Sequence, residues 1–325
     1  MTRRPDLFII GAAKCGTTSL YEYLKDHPDV FMSPAKEPRY FAPDLASAGV
    51  GHDLVYGKDE DRYMGLFSEA RDEKRLGEAS VRYIYSSSAP GLIRDFQPRP
   101  YIIAMLRNPV DVVHSMHNQR WSEGAEEIAD FEQALAAEED RKAGRGIPPG
   151  SNPMLAVYRD RARFGKQLPR WFETFGPERI HVIIFEDMVR DPAGTFRRVL
   201  EFLEVDPDYQ PESFAIHNPR HQPRNMALRS LLNSRLPQWF AWSVMPRLLG
   251  DRATRGLVRR FRHSRFNRKP AAKTAMRPEV RRRLEAEFAP DVASLSKLLG
   301  RDLAQVWWKH APEGAGERAA AVLAG

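Results

Sequence analysis

Cysteine is almost absent from this chain of 325 residues, which has only Cys15. A single cysteine excludes an intramolecular disulfide framework and fits the reducing cytoplasm, which is the location we predict. No stretch supplies the roughly 20 uninterrupted apolar residues that a membrane span needs. The opening "MTRRPDLFIIG" has too short an apolar run for a signal peptide and ends in a glycine turn, so we interpret it as a first strand.

Metal-binding motifs and evenly spread charge are also lacking. The histidines form no H-E-x-x-H pair and no cluster with cysteine, so no metal site is predicted. Acidic residues are scarce in residues 220–283, which contain eighteen Lys and Arg but only two acidic residues. The formal net charge of the whole chain is +7. Such a segment suits a polyanionic ligand, nucleic acid or an anionic membrane surface, although solvated arginines account for most of it.

Three short apolar runs predict buried strands at residues 6–10, 101–106 and 180–185. Each is followed by a predicted helix, and the helices cover residues 17–25, 109 to about 120, and 192–203. Continuous apolar runs separated by helices indicate an α/β fold, in which a doubly wound, mostly parallel central sheet is flanked by helices. Ligands of such sheets bind at the carboxyl ends of the strands.

The rest of the chain gives coarser expectations. A polar helix is predicted near residues 131–141, a surface loop that could act as a lid at 143–153, and a structural helix at 278–299. We expect one domain over residues 1–312, with residues 220–264 as a helical, basic cap or insertion. Residues 313–325 have the composition of a flexible tail.

A phosphate-binding turn is predicted between the first strand and the first helix, in "FIIGAAKCGTTSL". Backbone N–H groups of a glycine turn that enters a helix attract anions through oriented donors and the helix dipole. The usual triphosphate loop reads G-x-x-x-x-G-K-[ST], whereas here the lysine lies earlier in the turn. The predicted cradle consists of Lys14, Cys15, Gly16, Thr17, Thr18 and Ser19.

A second anion site is predicted in "LRNPVDVVHS", where Arg107 precedes a helix and Ser115 lies two turns into it. Together they could grip one phosphate, which implies a ligand phosphorylated at two places. An ATP-dependent P-loop kinase stays open as an alternative, because Glu186 or Asp187 could serve as its metal-binding acid. A basic nucleic-acid-binding protein is the non-enzyme alternative, but no RNP-like or helix-turn-helix pattern accompanies the charge, so nucleic acid is not expected as a partner.

Four stretches, "FIIGAAKCGTTSL", "KEPRYF", "LRNPVDVVHS" and "RKP", resemble the PAPS-dependent sulfotransferase superfamily, particularly the carbohydrate (heparan-sulfate-type) enzymes and their bacterial relatives. The resemblance implies a P-loop-like sulfotransferase fold. It also implies that 3′-phosphoadenosine 5′-phosphosulfate (PAPS) is the sulfuryl donor, that adenosine 3′,5′-bisphosphate (PAP) is the product, and that no metal is required. Lys14 would then lie against the bridging oxygen of the leaving group, and Arg107 and Ser115 would hold the 3′-phosphate.

The same resemblance assigns a general base and a closing loop. Glu37 in "SPAKEPRYF" falls where the carbohydrate enzymes place their base, although residue type alone favours an ion pair with Lys36 or Arg39. Arg268 and Lys269 in "RFNRKP" match the C-terminal loop that closes over the donor. The fallback bases, should Glu37 point away, are Glu78, His114 and His117.

Departures from the family pattern leave the acceptor open. Ala79 stands where the carbohydrate enzymes often have a lysine, and Arg82 is a candidate replacement offset by three residues. The expected acceptor is a carbohydrate, a lipid or a small metabolite with a hydroxyl or, less favoured, an amine. Residues 226–250, rich in Leu and Trp with interspersed arginines, fit an acceptor-binding cap, a helical hairpin or a peripheral membrane contact.

Overall fold

Five parallel strands form the central sheet of the computed structural model, in the order β2-β3-β1-β4-β5. The structure describes residues 3–46, 59–147, 152–214 and 275–308, together with the backbone of two short strands at 221–223 and 268–270. The sheet strands are β1 Leu7–Gly11, β2 Val30–Met32, β3 Arg75–Ala79, β4 Tyr101–Leu106 and β5 Ile180–Ile184. The first strand therefore lies in the middle of the sheet.

The two central strands are buried along their whole length, which is what continuous apolar sequence predicts. Every residue of β1 and of β4 is buried. Neighbouring strands run parallel, with Leu7 opposite both Gly77 and Tyr101. Helices therefore have to cover both faces of the sheet, as expected for a doubly wound α/β fold.

Thirteen α-helices are present in the part of the chain that the structure describes, and they surround the sheet. They are α1 Thr17–Lys25, α2 Glu60–Met64, α3 Ala89–Phe96, α4 Pro109–Glu123, α5 Phe131–Ala136, α6 Glu138–Lys142, α7 Tyr158–Arg161, α8 Phe164–Gln167, α9 Pro169–Phe175, α10 Phe185–Arg190, α11 Pro192–Phe202, α12 Pro278–Leu299 and α13 Leu303–Trp307. Short 3₁₀ turns occur at Pro43–Leu45, Gly65–Phe67, Tyr83–Tyr85, Pro153–Ala156 and Pro177–Arg179.

Side-chain caps explain why the main helices begin where the sequence predicts. The Asn108 side chain accepts a hydrogen bond from the Val110 amide at 3.0 Å, and Pro109 occupies the first helical position of α4. Asp191 caps α11 in the same way by accepting from the Gly194 amide at 2.9 Å. The Asn108 cap follows β4 directly and so fixes the turn that carries Arg107, whereas the Asp191 cap fixes the junction between α10 and α11.

Other boundaries differ from the sequence prediction. The strand predicted at 180–185 ends at Ile184, because Phe185 opens α10 instead. The helix predicted near 131–141 is two helices that meet at Ala137. Strands β2 and β3 were not predicted: β2 has three residues, and β3 reads RLGEA, in which arginine, glycine and glutamate interrupt the apolar pattern.

The C-terminal helix α12 is clamped to the body through α8. The Asp291 carboxylate accepts hydrogen bonds from the amides of Gly165 at 2.9 Å and Lys166 at 3.1 Å. Gly165 allows this approach, since a Cβ there would lie 2.2 Å from the Asp291 carbonyl oxygen. Arg159 and Arg163 add ion pairs to Glu287 of α12 at 3.2 and 2.8 Å.

A two-stranded antiparallel ribbon joins β6 His221–Pro223 to β7 Arg268–Pro270. Strand β6 lies alongside α4. Residues 226–250, most of the predicted cap at 220–264, and the predicted tail at 313–325 lie outside the described residues, as does the middle of the loop predicted at 143–153. Among the helices that the structure describes, none combines the length and apolarity required to cross a membrane.

Candidate active site

The turn that follows β1 forms the centre of the candidate site. Gly11 has a φ of 151°, and a Cβ there would lie 2.5 Å from Cγ2 of Ile84, so only glycine fits. Gly16 caps the start of α1 with a φ of 90°, and a Cβ would approach the Phe185 ring to 3.1 Å. Both glycines of the predicted phosphate loop are therefore required by close packing as well as by backbone conformation.

Backbone hydrogen bonds hold this turn on the neighbouring strand. The Ala12 amide donates to the Met105 carbonyl at 2.7 Å, and the Cys15 amide donates to the Ala12 carbonyl at 3.3 Å. Lys14 lies in the left-handed region with a φ of 68°. The first amides of α1 have no acceptor within the helix, and its dipole places partial positive charge at this end. The turn therefore has the backbone geometry that the predicted anion cradle requires.

The hydroxyls of the cradle differ in exposure. Thr17 and Ser19 are buried, whereas Thr18 is partly exposed. Cys15 is fully buried, and burial raises the pKa of its thiol well above the ordinary value. Burial and the raised pKa disfavour the thiolate, so we assign Cys15 a packing role within the turn.

Lys36 is a residue of the site that the sequence analysis missed. Its Nζ donates to Oγ1 of Thr18 at 2.6 Å, which places a second lysine beside the turn that carries Lys14. Burial lowers the pKa of Lys36. The sequence analysis treated Lys36 only as a pairing partner of Glu37. Its position immediately before a predicted base gave the one available signal.

Arg107 lies at the carboxyl end of β4, against the same turn. Its Nη1 donates to the Lys14 carbonyl at 3.4 Å, and its Nη2 lies 3.6 Å from the Asp111 carboxylate. The guanidinium stacks over the Phe185 ring at 4.7 Å, while the buried Nε has no hydrogen-bond partner. Arg107 thus retains donor capacity next to the cradle, as an anion site requires.

The proposed partner of Arg107 is not hydrogen-bonded to it. Ser115 is buried on α4, and no hydrogen bond joins its hydroxyl to Arg107 within the described residues. Arg268 and Lys269 belong to β7, where they pair with Pro223 and Gln222 of β6. Strand β6 lies alongside α4, the helix that carries Ser115, and β7 is the partner strand of β6.

Glu37 lies at the edge of the sheet beside the cradle. Its amide donates to the Ala79 carbonyl at 2.9 Å, and its carboxylate accepts from the Val81 amide at 3.3 Å. The second carboxylate oxygen lies 3.5 Å from Nε of Arg39, so one of the two ion pairs expected from the sequence is present. Glu37 is 23% exposed and has a φ of 63°. It is fixed to the segment after β3, the strand adjacent to β1.

The fallback bases have structural partners. Glu78 is fully buried and accepts hydrogen bonds from Tyr83 at 2.6 Å, Ser80 at 2.8 Å and Tyr63 at 3.3 Å. Burial raises the pKa of Glu78 to about 7. His117 is 1% exposed and bonded to the Ile128 carbonyl, while His114 contacts Asn118. Glu37 is the most accessible carboxylate of this group.

The acids considered for a kinase are also occupied. Glu186 accepts from the Asn108 amide at 3.2 Å and from the Trp307 indole at 3.0 Å. Asp187 is bound by two nitrogens of Arg301, which hold its pKa below the ordinary value. Within the ranges that the structure covers, no group of three or more His, Cys, Asp or Glu side chains could hold a metal ion.

A parallel α/β sheet with a phosphate-type turn after its central strand defines the class as P-loop-like. The sulfotransferase domain model matches residues 4–230, so the chain belongs to the sulfotransferase family. It is 32% identical to a sulfotransferase from Alicyclobacillus acidocaldarius, and its structure superimposes on that crystal structure with a TM-score of 0.69. The superposition covers 94% of this chain and 100% of the other.

Two curated relatives carry more specific names. Mouse heparan sulfate glucosamine 3-O-sulfotransferase 6 is 27% identical over 62% of this chain and 52% of its own length. Mouse bifunctional heparan sulfate N-deacetylase/N-sulfotransferase 4 is 26% identical over 63% of this chain and 23% of its own length. The chain therefore spans about half the length, or less, of the curated relatives it matches.

Proposed function

We propose that this protein transfers a sulfuryl group from PAPS to an acceptor hydroxyl. The observation that carries the proposal is the joining of three groups at one sheet edge: the cradle with Lys14, the Arg107 guanidinium on the Lys14 carbonyl, and the Glu37 carboxylate on the Val81 amide. Membership of the sulfotransferase family supports the same reaction.

The cradle would hold the 5′-phosphosulfate of the donor. Backbone amides from Gly16 onward and the hydroxyls of Thr17, Thr18 and Ser19 supply donors, and Lys14 and Lys36 supply charge. Arg107 would bind the 3′-phosphate, with Ser115 and the ribbon residues Arg268 and Lys269 as further contacts. No metal ion is needed in this scheme, because lysines balance the charge of the leaving group.

In the proposed step, the acceptor oxygen forms a bond to sulfur while the bond from sulfur to the phosphate oxygen breaks. The hydroxyl proton passes to the Glu37 carboxylate, and PAP leaves with the electron pair of the broken bond. A positioned base of this kind contributes about 10²–10⁴-fold to the rate. Lys14 and Lys36 stabilise the charge that grows on the leaving oxygen.

The acceptor proposed here is a carbohydrate or another small molecule, which the heparan sulfate relatives support. The similar proteins include one named for 3-O-sulfation and one named for N-sulfation, so they do not distinguish a hydroxyl acceptor from an amine. We prefer a hydroxyl because the proposed base, Glu37, would remove its proton. A lipid acceptor, membrane contact through residues 226–250 and a cytoplasmic location stay predictions. The kinase alternative is not favoured, since Glu186 and Asp187 are engaged elsewhere.

Donor binding tests the proposal. Calorimetric titration with PAP, beside ATP with and without Mg²⁺, is expected to give tighter binding of PAP that does not change when Mg²⁺ is chelated. The physical reason is the second phosphate grip at Arg107, which ATP cannot use. Equal affinities, or tighter ATP binding that requires Mg²⁺, would contradict the sulfotransferase assignment and favour a kinase.

A further inference from the structure

The segment between β2 and the first 3₁₀ turn, residues 33–42, carries the proposed base in an unusual backbone conformation. Glu37 and Arg39 both lie in the left-handed region, with φ values of 63° and 58°. Residues other than glycine rarely adopt this region, so the surrounding structure has to hold them there. The proposed mechanism uses the Glu37 carboxylate but none of the groups that hold its segment in place.

Two backbone amides of this segment are bound by side-chain hydroxyls and not by the sheet. The Arg39 amide donates to Oγ of Ser80 at 3.0 Å, and the Phe41 amide donates to the Tyr83 hydroxyl at 3.3 Å. Ser80 and Tyr83 are fully buried, so an amide that loses its hydroxyl partner is left without an acceptor. The position of the segment therefore depends on the direction in which these two hydroxyls point.

Both hydroxyls donate their hydrogen to one carboxylate, that of Glu78. Ser80 donates to Oε2 of Glu78 at 2.8 Å, and Tyr83 donates to Oε1 at 2.6 Å. A hydroxyl has one hydrogen and two lone pairs, so donation to Glu78 leaves lone pairs for the backbone amides. Because the two hydroxyls use different oxygens, an ionised carboxylate serves both at once.

A third hydroxyl links Glu78 to the same segment through ring packing. The Tyr63 hydroxyl donates to Oε1 of Glu78 at 3.3 Å. The Tyr63 ring stacks on that of Tyr40, with 4.4 Å between the centroids and 9° between the planes. The Phe41 ring packs edge-on against the Tyr63 ring at 5.3 Å. Each of these three hydroxyl donors to Glu78 thus contacts the chain directly after Glu37.

The residues that follow Glu78 on β3 bind Glu37 itself. The Glu37 amide donates to the Ala79 carbonyl at 2.9 Å, and the Glu37 carboxylate accepts from the Val81 amide at 3.3 Å. The strand end thus fixes Glu37, while the hydroxyls bound to Glu78 fix the residues that come after it.

We propose that Glu78 is a positioning residue for the proposed base, because its carboxylate keeps the hydroxyls of Ser80 and Tyr83 as acceptors for the segment that carries Glu37. This inference rests on the proposed function, since it takes Glu37 as the base. The burial of Glu78 and its three hydroxyl donors leave it no access to the acceptor. Glu78 therefore acts through Glu37 and is not a base itself.

Amide hydrogen exchange at pH 8 tests whether Glu78 holds the segment. Burial raises the pKa of Glu78 to about 7, so the carboxyl group is mostly ionised at this pH. Glutamine has one accepting oxygen in place of two, so Glu78→Gln is expected to speed exchange at both Arg39 and Phe41, by about tenfold for a lost hydrogen bond. Ser80→Ala is expected to act at Arg39 alone, and Tyr83→Phe at Phe41 alone. No change at either amide in Glu78→Gln would overturn the inference.

Ser86 offers a matched control. It is fully buried, and its hydroxyl donates to the Asp44 carboxylate at 2.6 Å and accepts from the Ala89 amide at 3.0 Å. Ser86→Ala removes the same kind of bridge outside the Glu37 segment, so it is expected to speed exchange at Ala89 and not at Arg39. Equal exchange at Arg39 in the Ser80→Ala and Ser86→Ala variants would indicate a general loss of stability and overturn the inference.

A double-mutant cycle tests whether the segment acts through Glu37. PAP release from PAPS is measured in the wild type, Ser80→Ala, Glu37→Gln and the double variant. Heparan sulfate and water are the acceptor probes; with water the products are PAP and sulfate. We expect Ser80→Ala to lower release about tenfold in the wild type and less than about twofold beside Glu37→Gln, because coupled residues are not additive.

The control variant and the donor affinity complete the cycle. Ser80→Thr keeps the hydroxyl and is expected to retain most of the release, whereas PAP affinity should be unchanged in every variant. Equal losses from Ser80→Ala in both backgrounds, with normal PAP binding, would overturn this inference alone. If Glu78→Gln fails to fold, Ser80→Ala and Tyr83→Phe carry the test, and unchanged exchange at Arg39 and Phe41 in them would overturn it.

Failure of the proposed function gives a different result. Exchange at Arg39 and Phe41 is measured without PAPS, so it reports on Glu78 whatever the reaction is. A wild-type protein that binds no PAP, or that releases PAP no faster than Glu37→Gln, would overturn the proposed function and with it the positioning role in catalysis.

Discussion

At the scale of single residues, the site separates binding from chemistry. In the proposed mechanism the donor is held by backbone amides that no side-chain substitution removes, whereas the charge near the leaving group would come from Lys14 and Lys36. Lys36 reaches the cradle through the Thr18 hydroxyl at 2.6 Å. Lysine side chains are therefore expected to matter more for the transition state than for the bound donor, because the leaving oxygen gains charge as its bond to sulfur breaks.

The two lysines are tested by alanine substitution. Lys14→Ala is expected to lower turnover about 10²–10³-fold while PAP binding falls by much less, and Lys36→Ala to act in the same direction. Turnover is measured as PAP release, and PAP affinity by calorimetry. Lys25→Ala, an exposed lysine at the end of α1, is the control. Unchanged turnover in Lys14→Ala would exclude its assigned role.

Glu37 is tested by a substitution that keeps its size and removes the proton acceptor. Glu37→Gln is expected to bind PAP normally and to lose about 10²–10⁴-fold in turnover, because glutamine can still accept from the Val81 amide but cannot take the proton. Single-turnover assays with PAPS separate this loss from donor binding. Full turnover in the variant would move the base to another residue.

At the scale of elements, β3 places an ionisable carboxyl group, that of Glu78, inside the sheet. Glu78 is fully buried, and three hydroxyl groups surround its carboxyl group. Burial raises its pKa from the ordinary 4.5 to about 7. Between these values the folded protein holds a proton that the unfolded chain has lost. The free energy of unfolding therefore falls as pH rises from 4.5 to 7 and levels off above.

This pH dependence can be measured against Glu78→Gln, which mimics the protonated acid. Urea unfolding at pH 5, 6, 7 and 8 should show that wild-type protein loses up to about 3 kcal/mol relative to the variant across this window. Other buried acids contribute equally to both proteins, so the difference isolates Glu78. A difference that does not change with pH would show that Glu78 is ionised throughout.

At the scale of the whole molecule, the clamp between α8 and α12 joins the C-terminal helix to the body. Gly165→Ala places a Cβ 2.2 Å from the Asp291 carbonyl, so we expect a loss of about 1–3 kcal/mol in the free energy of unfolding. Gly91→Ala on α3 is the matched control, because a Cβ there meets nothing within 4 Å, and helix propensity predicts a gain of up to about 1 kcal/mol. Chemical denaturation measures both. Equal effects would contradict the clamp.

The sequence predicted the fold where local signals agree with the tertiary structure. Strands β1 and β4 are continuous apolar runs followed by turn or cap residues, and the observed α1 and α12 have the predicted bounds. Strand β3 was not predicted because it contains Glu78, and the cost of burying this glutamate is offset by hydrogen bonds from distant hydroxyls. The donors are Tyr63 and Tyr83, which lie 15 and 5 residues away in the sequence. No local pattern encodes such compensation.

The sequence predicted those candidate site residues that lie at strand ends or within family motifs. Lys14 and Arg107 lie together, because β1 and β4 are neighbours and end at the same edge. The Lys36 contact depends on how the segment after β2 packs against the turn after β1, and no spacing in the sequence reports that. The roles assigned to the site residues stay predictions: they concern the cradle residues Lys14 to Ser19, Glu37, Arg107, Ser115, Arg268 and Lys269.

The central position of β1 determines when this strand can pair with its neighbours during synthesis. Leu7 pairs with Gly77 on one side and Tyr101 on the other, so the strand is synthesised long before either neighbour exists. Until then its apolar residues have no sheet to join, and such exposed strands are prone to aggregate. The turn that follows it gains its anchor on Met105 only when β4 has emerged. The first strand of the sheet thus gains its last neighbour late, and a nascent chain stopped before residue 105 lacks the anchor of the turn that carries Lys14.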